Sequence, residues 1–202
     1  QGYGLTETSP VTHVNPEDPA RIKLGSVGVP IANTECAVVS LETGNPLGVR
    51  EEGEIWIRGP QVMKGYLNNP DATAQTLTPD GWLRTGDVGY VDEDGYFYIV
   101  DRVKEMIKYK GLQIAPAELE AVLLTHPAVA DAAVIPSPDP EAGEVPKAFV
   151  VLKGAATDEE LMEYVAARVA PFKKIRRIEF VEQIPKSPSG KILRRVLVQQ
   201  ER

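Results

Sequence analysis

The sequence has one cysteine, and it has no long apolar run and no leader-like start. Cys36 cannot form a disulfide within the chain, so we interpret it as a small buried apolar residue in a reducing compartment. No run approaches the roughly 20 apolar residues that a membrane-spanning helix needs. The first residues also lack the charged, apolar and small-residue pattern of a signal peptide. We therefore expect a soluble protein in the cytoplasm.

Clustered positive charge is also scarce. The chain carries 22 Lys and Arg residues against 29 Asp and Glu residues, which gives a net charge of −7. Nucleic-acid binding needs clustered cations to neutralise phosphates, so this balance argues against that function. Basic residues concentrate only at 102–110 and 173–195. The hydrophobic fraction of 43% over 202 residues predicts a globular chain of one large or two small domains.

The first half of the sequence has the texture of short β-strands. Runs at 35–39 and 54–58 are rich in apolar residues and are separated by glycine and proline. Residues 92–95 (DEDG) stand between two further apolar runs, and an Asp-Gly step suits a tight hairpin turn. The acidic spacing also resembles a calcium loop, but a β-run follows where further ligands would be needed. We therefore predict a turn.

After Arg102 the texture changes to alternating helices and strands. Pro116 suits the start of a helix, and Thr157 with Glu160 predicts a capped helix to about residue 169. We expect strands at 129–135, 148–152 and 177–181, a surface loop at 137–143, and a last helix from about Lys191. The sequence thus predicts an α+β protein, with a small β-rich part at 1–102 and a compact α+β domain at 103–202.

Two segments in the first part could bind a nucleotide. Residues 1–7 (QGYGLTE) combine two glycines, an aromatic ring, a hydroxyl and a carboxylate, which permits close approach to a flat ligand. An ordinary strand and turn explains the same residues equally well. Asp87 follows Thr85 and Gly86 and could project from a turn to accept hydrogen bonds from ribose hydroxyls. A turn-capping aspartate is the alternative.

Two basic segments in the second part could bind anions. Residues 102–110 contain four cations and could meet the phosphates of ATP and coenzyme A, although a solvated basic face is the simpler interpretation. Residues 185–191 (PKSPSGK) form a loop of small residues that presents Lys191 just before a helix. This loop is not a nucleoside-triphosphate P-loop, because its glycine spacing differs and no Ser or Thr follows the lysine.

Taken together, these segments resemble the later core motifs of the adenylate-forming superfamily. That superfamily includes acyl-CoA synthetases, peptide-synthetase adenylation domains and beetle luciferases. The matching segments are 3–7, 53–66, 82–89, 101–116 and 185–191. Residues 101–116 (DRVKEMIKYKGLQIAP) are most similar to 4-coumarate–CoA ligases and their bacterial relatives. The resemblance implies part of an AMP-binding domain followed by a mobile C-terminal lid domain with its hinge near Lys104.

The resemblance also implies a role for particular residues. The nucleotide-binding residues would be Gln1, Gly2, Tyr3, Thr6, Asp87 and Arg102. Glu7 would help to hold Mg²⁺. Lys104, besides acting as the hinge, would contact the acyl-adenylate together with Lys108 and Gln113. Lys110 and Gly111 would meet coenzyme A, and Lys191 would neutralise charge at the α-phosphate during adenylation.

The implied reaction joins a carboxylic acid to coenzyme A through acyl-AMP, at the expense of ATP. Family members carry an upstream Ser/Thr/Gly-rich phosphate loop and an acid pocket, and no segment here matches either. We therefore expect a fragment that is inactive without an upstream N-terminal domain, and we expect that a lysine acyltransferase acts on Lys191. The alternatives are an adenylation domain that loads a carrier protein and a non-catalytic nucleotide-binding module.

Overall fold

A computed structural model describes residues 1–188 and 190–201. Ser189 of the lysine loop and Arg202 at the end of the second expected domain lie outside the described residues. The chain divides into two compact units, Gln1–Val103 and Lys104–Arg202, which are called unit one and unit two below. Both units contain helices and paired strands, so the predicted α+β class is confirmed.

Unit one contains two antiparallel sheets and one α-helix. The first sheet has the order β1-β2-β3, and the second has the order β4-β5-β6-β7. The strands are β1 (Gly2–Gly4), β2 (Val11–Val14), β3 (Val29–Pro30), β4 (Glu35–Val39), β5 (Gly53–Arg58), β6 (Leu83–Val91) and β7 (Phe97–Arg102). Helix α1 (Pro70–Thr76) begins where the Asn69 side chain accepts a hydrogen bond from the Ala72 N–H.

The core of unit one follows from the alternation of residues along β5. Ile55 and Ile57 are fully buried, while Trp56 and Arg58 between and after them remain partly exposed. Because side chains on a strand alternate between faces, one face of this sheet can be apolar while the other is polar. The two isoleucines pack with Phe97 in one buried cluster. Burying each such side chain stabilises the unit by about 1.5–3 kcal/mol.

The two sheets of unit one meet closely at Gly28. Its φ of +96° is unfavourable for other residues, and a Cβ there would lie 2.0 Å from the Val14 carbonyl oxygen. Backbone hydrogen bonds join this segment to β7, from the Val27 N–H to the Phe97 oxygen and from the Phe97 N–H to the Gly28 oxygen. Gly28 therefore lets the chain pass between β2 and β7.

Unit two is a five-stranded sheet with helices on both faces. Its strands are β8 (Ile107–Tyr109), β9 (Leu112–Ile114), β10 (Val129–Asp139), β11 (Gly143–Leu152) and β12 (Arg177–Phe180). Strands β10, β11, β8 and β9 lie in that order, and β12 pairs in parallel with β11. The helices are α2 (Pro116–Leu124), α3 (Asp158–Ala166) and α4 (Arg194–Gln200).

Alternate residues of β10 build a core on each face of this sheet. Ala132 and Val134 lie in a buried cluster with Leu119 of α2 and Leu161 of α3. Residues whose side chains point to the other face of the sheet, such as Ile135, lie in a second cluster that includes Leu197 of α4. A continuous apolar run is therefore needed on β10, because both of its faces are covered.

Two expectations about the second half are wrong in detail. Residues 137–143 do not form a loop, because β10 continues to Asp139 and pairs with Gly143 at the start of β11. Only 140–142 form the turn, which the Asp139 carboxylate caps by accepting from two backbone N–H groups. Likewise α3 ends at Ala166 rather than near residue 169. Strand pairing outweighs the local proline and acidic content in the first case.

The last helix begins at Arg194, three residues later than predicted. Residues before it are held in an antiparallel bridge between Lys186 and Ile192. The Leu193 N–H also donates to the Pro185 oxygen over 2.9 Å. Because these bonds engage the backbone at Ile192 and Leu193, a helix cannot begin at Lys191.

Candidate functional site

Two of the expected nucleotide-site residues, Tyr3 and Arg102, contact a third, Asp87, in unit one. The Tyr3 hydroxyl donates a hydrogen bond of 2.6 Å to the Asp87 carboxylate. Arg102 lies directly opposite Asp87 on the neighbouring strand, and its Nε is 3.2 Å from the other carboxylate oxygen. Asp87 is buried, whereas the Arg102 side chain is about half exposed (53%). Tyr3, Asp87 and Arg102 are called the Asp87 cluster below.

Asp87 is positioned inside strand β6 rather than on a turn before it, which corrects the expectation. The pairing of β5 with β6 shifts near this point, and Gly86 has a φ of +71°. The Gly86 N–H donates to the Glu54 carboxylate over 2.9 Å, and the Asp87 N–H donates to the Thr85 hydroxyl over 3.1 Å. This local irregularity directs the Asp87 side chain toward Tyr3.

The protonation of Tyr3 suits its role as donor. Burial, and secondarily the negative charge of Asp87, raise the pKa of the Tyr3 phenol well above its ordinary value. The phenol therefore stays protonated at neutral pH and can donate its hydrogen bond to the Asp87 carboxylate. An ionised carboxylate has acceptor capacity for about four hydrogen bonds, so the cluster leaves room for ligand hydroxyls.

A buried hydrogen-bond chain fixes the backbone that carries Tyr3. Thr12 donates to the Tyr3 carbonyl oxygen over 3.2 Å and lies 2.9 Å from Nδ1 of the fully buried His13. Since the Thr12 hydrogen is used on Tyr3, we assign the ring hydrogen to Nδ1. His13 Nε2 then accepts from the Cys36 thiol at 3.4 Å. The chain runs from Cys36 through His13 and Thr12 to β1.

Burial determines the protonation of this pair. It lowers the pKa of His13 to about 4 and raises the pKa of Cys36 to about 12. Both groups are therefore neutral at physiological pH. Cys36 was expected to be buried and is partly buried, packed against the apolar cluster around Ile55.

Glu7 is held by a residue that the sequence analysis did not single out. The Tyr66 hydroxyl donates to the Glu7 carboxylate over 2.8 Å, and the Met63 N–H donates to the Glu7 carbonyl oxygen over 2.8 Å. Mg²⁺ usually takes one or two protein carboxylates together with substrate phosphates and water. A single oriented carboxylate such as Glu7 fits a magnesium ion of that kind.

The other expected residues of the first motif are exposed. Gln1, Gly2 and Thr6 lie on the surface of unit one, the glycine in β1 and the threonine at the start of a short 3₁₀ turn. The Gln1 carbonyl oxygen accepts from the Asn15 N–H over 3.1 Å. Gly4 is required for steric reasons, because a Cβ there would lie 1.8 Å from the Pro10 oxygen.

Strands β8 and β9 form a basic hairpin in unit two. Lys108 lies directly opposite Gln113, so both side chains project from the same face of the hairpin. Lys110 and Gly111 form its two-residue turn with φ values of +48° and +84°, as in a type I′ turn. Lys104 is exposed in the turn before β8. The fold thus pairs Lys108 with Gln113 and leaves Lys104 and Lys110 exposed nearby in the sequence.

Lys191 lies exposed on a hydrogen-bonded loop of unit two. The Ser187 N–H donates to the Lys191 oxygen over 2.8 Å, and the Lys191 N–H donates to the Ser187 hydroxyl over 3.2 Å. Lys186 at the start of the loop makes a 2.5 Å ion pair with Asp131 of β10. The loop is therefore closed on itself and attached to the sheet.

The acidic segment 92–95 is the turn that was predicted. Asp92 accepts from the backbone N–H groups of Asp94 and Tyr96, and its carboxylate pairs with Lys23. Burial opposes ionisation of Asp92, but these bonds outweigh it and hold its pKa below the usual range. Among the described residues, no group of three or more acidic, His or Cys side chains is arranged to hold a metal ion.

Sequence reasoning missed Tyr66 and His13 as supports of the site. Each acts through a partner distant in sequence, since Tyr66 meets Glu7 across 59 residues and His13 meets Cys36 across 23. Tyr66 ends one of the segments that carried the family resemblance, and this position was its only signal. His13 carried no signal.

Two protein-family models match parts of the chain. Residues 1–67 match the family model described as AMP-binding enzyme, and residues 118–191 match the model described as AMP-binding enzyme C-terminal domain. The described part of the chain contains no helix with the length and apolar character needed to cross a membrane.

Known relatives agree with this assignment. The 4-coumarate–CoA ligase of Pinus taeda is 54% identical over 98% of this chain and 37% of its own length. The 4-coumarate–CoA ligase 1 of Glycine max is 52% identical over 98% of this chain and 69% of its own length. ATP-bound MatB from Rhodopseudomonas palustris superposes with a TM-score of 0.90 and 34% identity over 98% of this chain and 39% of that one.

The first curated relatives are much longer than this chain, which spans 34% to 37% of their length. The match to each of them nevertheless covers 98% or more of this chain. The chain therefore belongs to the family of AMP-binding enzymes and is related to its 4-coumarate–CoA ligase-like members.

Proposed function

We propose that this chain forms part of an ATP-dependent ligase that joins a carboxylic acid to coenzyme A. The observation that carries this proposal is the exposed Lys191 on a closed loop, in a chain that also contains the Asp87 cluster with its buried carboxylate. The backbone of Lys191 is held by the loop, while its exposed ammonium group is able to reach an anionic phosphate. A module that only binds nucleotides has no need of such a lysine.

The first half-reaction would form acyl-AMP. An oxygen of the substrate carboxylate attacks the α-phosphorus of ATP, a new P–O bond forms, and pyrophosphate leaves with its bonding electrons. Two anions must approach each other, so the charge of Lys191 would reduce their repulsion at the α-phosphate. The Asp87 carboxylate would accept hydrogen bonds from the ribose hydroxyls, with Arg102 beside it, and so fix the sugar.

Other residues of unit one would bind AMP and the metal ion. The exposed Gln1, Gly2 and Thr6, together with the partly buried Tyr3, would contact AMP. Glu7, oriented by Tyr66, would hold Mg²⁺, which when bound would offset phosphate charge. The glycines of this segment permit close approach of the ligand.

The second half-reaction would transfer the acyl group to sulfur. The thiol of coenzyme A attacks the acyl carbonyl carbon, a C–S bond forms, AMP leaves, and the thiol proton passes to solvent. Lys108 and Gln113, paired across the basic hairpin, would contact the acyl-adenylate. Lys110 and Gly111 at its turn would meet coenzyme A. A movement of unit two would separate the two half-reactions. We assign the hinge of this movement to Lys104, the first residue of unit two.

Two parts of the proposal concern the whole protein. The phosphate loop and the acid pocket would come from an upstream domain, so the 202-residue chain alone would not adenylate a substrate. Acylation of Lys191 by a lysine acyltransferase would remove its charge and stop adenylation. The location of the whole protein would be the cytoplasm. The alternatives are an adenylation domain that loads a carrier protein and a non-catalytic nucleotide-binding module.

A chimera tests the proposal directly. This chain would replace the matching 200 residues of the Pinus taeda enzyme, to which it is 54% identical. Pyrophosphate release and acyl-CoA formation would be measured with a panel of aromatic and fatty acids. The isolated 202-residue chain is the control.

The proposal expects acyl-CoA formation that requires both ATP and coenzyme A, and no turnover by the isolated chain. Pyrophosphate release without any coenzyme A product would favour the carrier-loading alternative. A chimera that binds AMP but releases no pyrophosphate with any acid would favour the non-catalytic module. Turnover by the isolated chain would disprove the need for an upstream domain.

A further inference from the structure

We propose that Arg194 is a positioning residue that holds the Lys191 loop and ties it to the segment beginning at Lys104. The inference concerns the same lysine as the proposed function and rests on it for its catalytic consequence. Its structural part stands on contacts within unit two alone.

The Arg194 guanidinium joins three separate parts of unit two. Its Nη1 donates to the Glu105 carboxylate over 2.5 Å. Its Nη2 donates to both carboxylate oxygens of Glu120 over 2.9 and 2.7 Å. Its Nε donates to the Val134 carbonyl oxygen over 3.3 Å. The start of α4 is thereby linked to the segment before β8, to α2 and to the central part of β10.

These charges are largely shielded from water. The exposed fractions of the side chains are 14% for Arg194, 9% for Glu120 and 25% for Glu105. Glu120 also accepts from the Val134 N–H over 2.8 Å, so the strand fixes the carboxylate that Arg194 meets. Arginine suits this place because its planar fork donates in several directions at once, which a lysine cannot do.

Arg194 lies at the C-terminal end of the loop that carries Lys191. Leu193, immediately before Arg194, donates its N–H to the Pro185 oxygen and so closes the loop. The other end of the loop is attached by the ion pair of Lys186 with Asp131. Lys191 is therefore carried between two attached ends, and Arg194 attaches the end nearer to it.

Glu105 gives this arrangement its second consequence. It follows Lys104 directly, and its carboxylate is bound by the residue that anchors the lysine loop, 89 positions later in the sequence. A displacement of the 104–106 segment relative to the rest of unit two would therefore disturb the loop. Because catalytic positioning errors of about 1 Å can cost about 100-fold in rate, this attachment would affect Lys191 strongly.

Two conservative variants test the attachment. Glu105→Gln keeps the shape of the side chain but removes its charge, and it leaves the pair between Arg194 and Glu120 intact. Arg194→Lys keeps the positive charge but loses the planar guanidinium group and its several N–H donors. Arg195→Lys is the matched control, since Arg195 is the exposed neighbour in the same helix. A thermal melt of each variant checks that unit two remains folded.

The first readout is hydrogen exchange of residues 185–193 in the 202-residue chain. We expect exchange of the Lys191 and Leu193 amides to be at least about tenfold faster in Glu105→Gln and Arg194→Lys, and unchanged in Arg195→Lys. Exchange in both test variants that equals that of Arg195→Lys would overturn the proposal. Should Arg194→Lys unfold unit two, Glu105→Gln alone decides this readout.

The second readout separates the two half-reactions in the chimera described above. Pyrophosphate release should fall at least about tenfold in both variants, while acyl transfer from supplied acyl-AMP to coenzyme A should stay within about twofold. Equal loss of both half-reactions would contradict a role through Lys191. If the parent chimera releases no pyrophosphate, the proposed function fails, whereas faster exchange would still support the attachment by Arg194.

Discussion

Tyr3 donates a 2.6 Å hydrogen bond to Asp87, and this bond joins residues 84 positions apart. It links strand β1 of the first sheet to strand β6 of the second. Both residues belong to segments that the sequence analysis assigned to nucleotide binding. The two segments therefore meet within unit one, and the proposed nucleotide site can be tested by substitution.

Replacing Tyr3 with Phe should weaken both stability and nucleotide binding. The variant removes a hydrogen bond to a buried carboxylate, and bonds to charged groups contribute about 1.5–3 kcal/mol. Because Arg102 remains beside Asp87, we expect a loss of about 1–2 kcal/mol in the free energy of unfolding of unit one. AMP binding should weaken about tenfold. Tryptophan fluorescence follows unit one selectively, because Trp56 and Trp82 both lie in it.

The matched control for Tyr3 is Tyr98→Phe. Tyr98 also donates to an aspartate, but over 3.3 Å, and that aspartate keeps its ion pair with Lys23. This variant should cost less than about 0.5 kcal/mol and leave AMP binding unchanged. Equal effects of the two substitutions would contradict a specific role for the bond between Tyr3 and Asp87.

The stability of unit one should decrease as the pH falls from about 6.5 to about 4. Burial lowers the pKa of His13 from its ordinary value of 6.5 to about 4, so the unfolded state binds a proton before the folded state does as the pH falls. The stabilisation is complete above pH 6.5 and is lost as the pH falls to about 4. The slope should approach about 1.4 kcal/mol per pH unit, for a total of about 3 kcal/mol.

Urea unfolding at several pH values, followed by tryptophan fluorescence, measures this dependence. His13→Gln should remove most of the slope between pH 4.5 and 6.5, whatever its effect on absolute stability. His126→Gln is the control, since His126 is the other histidine of the chain and lies in unit two. A slope that survives in His13→Gln would assign the dependence to other groups.

Cys36 should react slowly with alkylating reagents. Burial raises the pKa of its thiol to about 12, and the thiolate is the reactive form. At pH 8 we expect alkylation by iodoacetamide at least about 100-fold slower than for glutathione, with full reactivity in denaturant. Intact-protein mass spectrometry measures the rate. Fast alkylation of the folded chain would mean that His13 acts as a base toward the thiol instead of accepting its hydrogen bond.

The Lys191→Gln variant tests the proposed role of the lysine loop. In the chimera it should lower pyrophosphate release by at least about 100-fold and leave acyl transfer from acyl-AMP nearly unchanged. Lys153→Gln removes a positive charge from an exposed lysine outside the loop and is the control. If Lys191→Gln impaired both half-reactions equally, a role confined to adenylation, and the proposed switch by lysine acylation, would be wrong.

Replacing Glu7 with Gln should raise the Mg²⁺ concentration needed for half-maximal adenylation about tenfold or more, because a carboxylate ligand is lost. Tyr66→Phe keeps the carboxylate and removes only the bond that orients it, so we expect a smaller rise. Titration of Mg²⁺ at fixed ATP in the chimera measures both. An unchanged Mg²⁺ requirement in Glu7→Gln would exclude Glu7 as a ligand.

Local patterns predicted much of the fold. The start of α2 at Pro116, the cap of α3 at Thr157 and the turn at 92–95 were predicted where they occur, because each depends on neighbouring residues. The errors fall where pairing between distant strands decides the outcome. Residues 137–139 contain one proline and one acidic residue and still form a strand, since β11 pairs with them.

The arrangement of the site was less predictable than its residues. The family motifs led to Tyr3, Asp87 and Arg102, but the strand register brought Asp87 opposite Arg102 and Tyr3 onto its carboxylate. Arg194 falls within the predicted last helix, and no local sequence feature distinguishes it from Arg195. Its contacts with Glu105 and Glu120 exist only once α4 packs on the sheet.

The sequence by itself determined which residues are apolar, where several turns and helices begin, and which motifs indicate a family of AMP-binding enzymes. These depend on residue type and on spacings of a few positions. Tertiary structure decided that Tyr3 meets Asp87, that His13 loses its charge, and that Arg194 binds Glu105. The physical reason is that hydrogen bonds and burial act through space, whereas a sequence specifies only the order of residues.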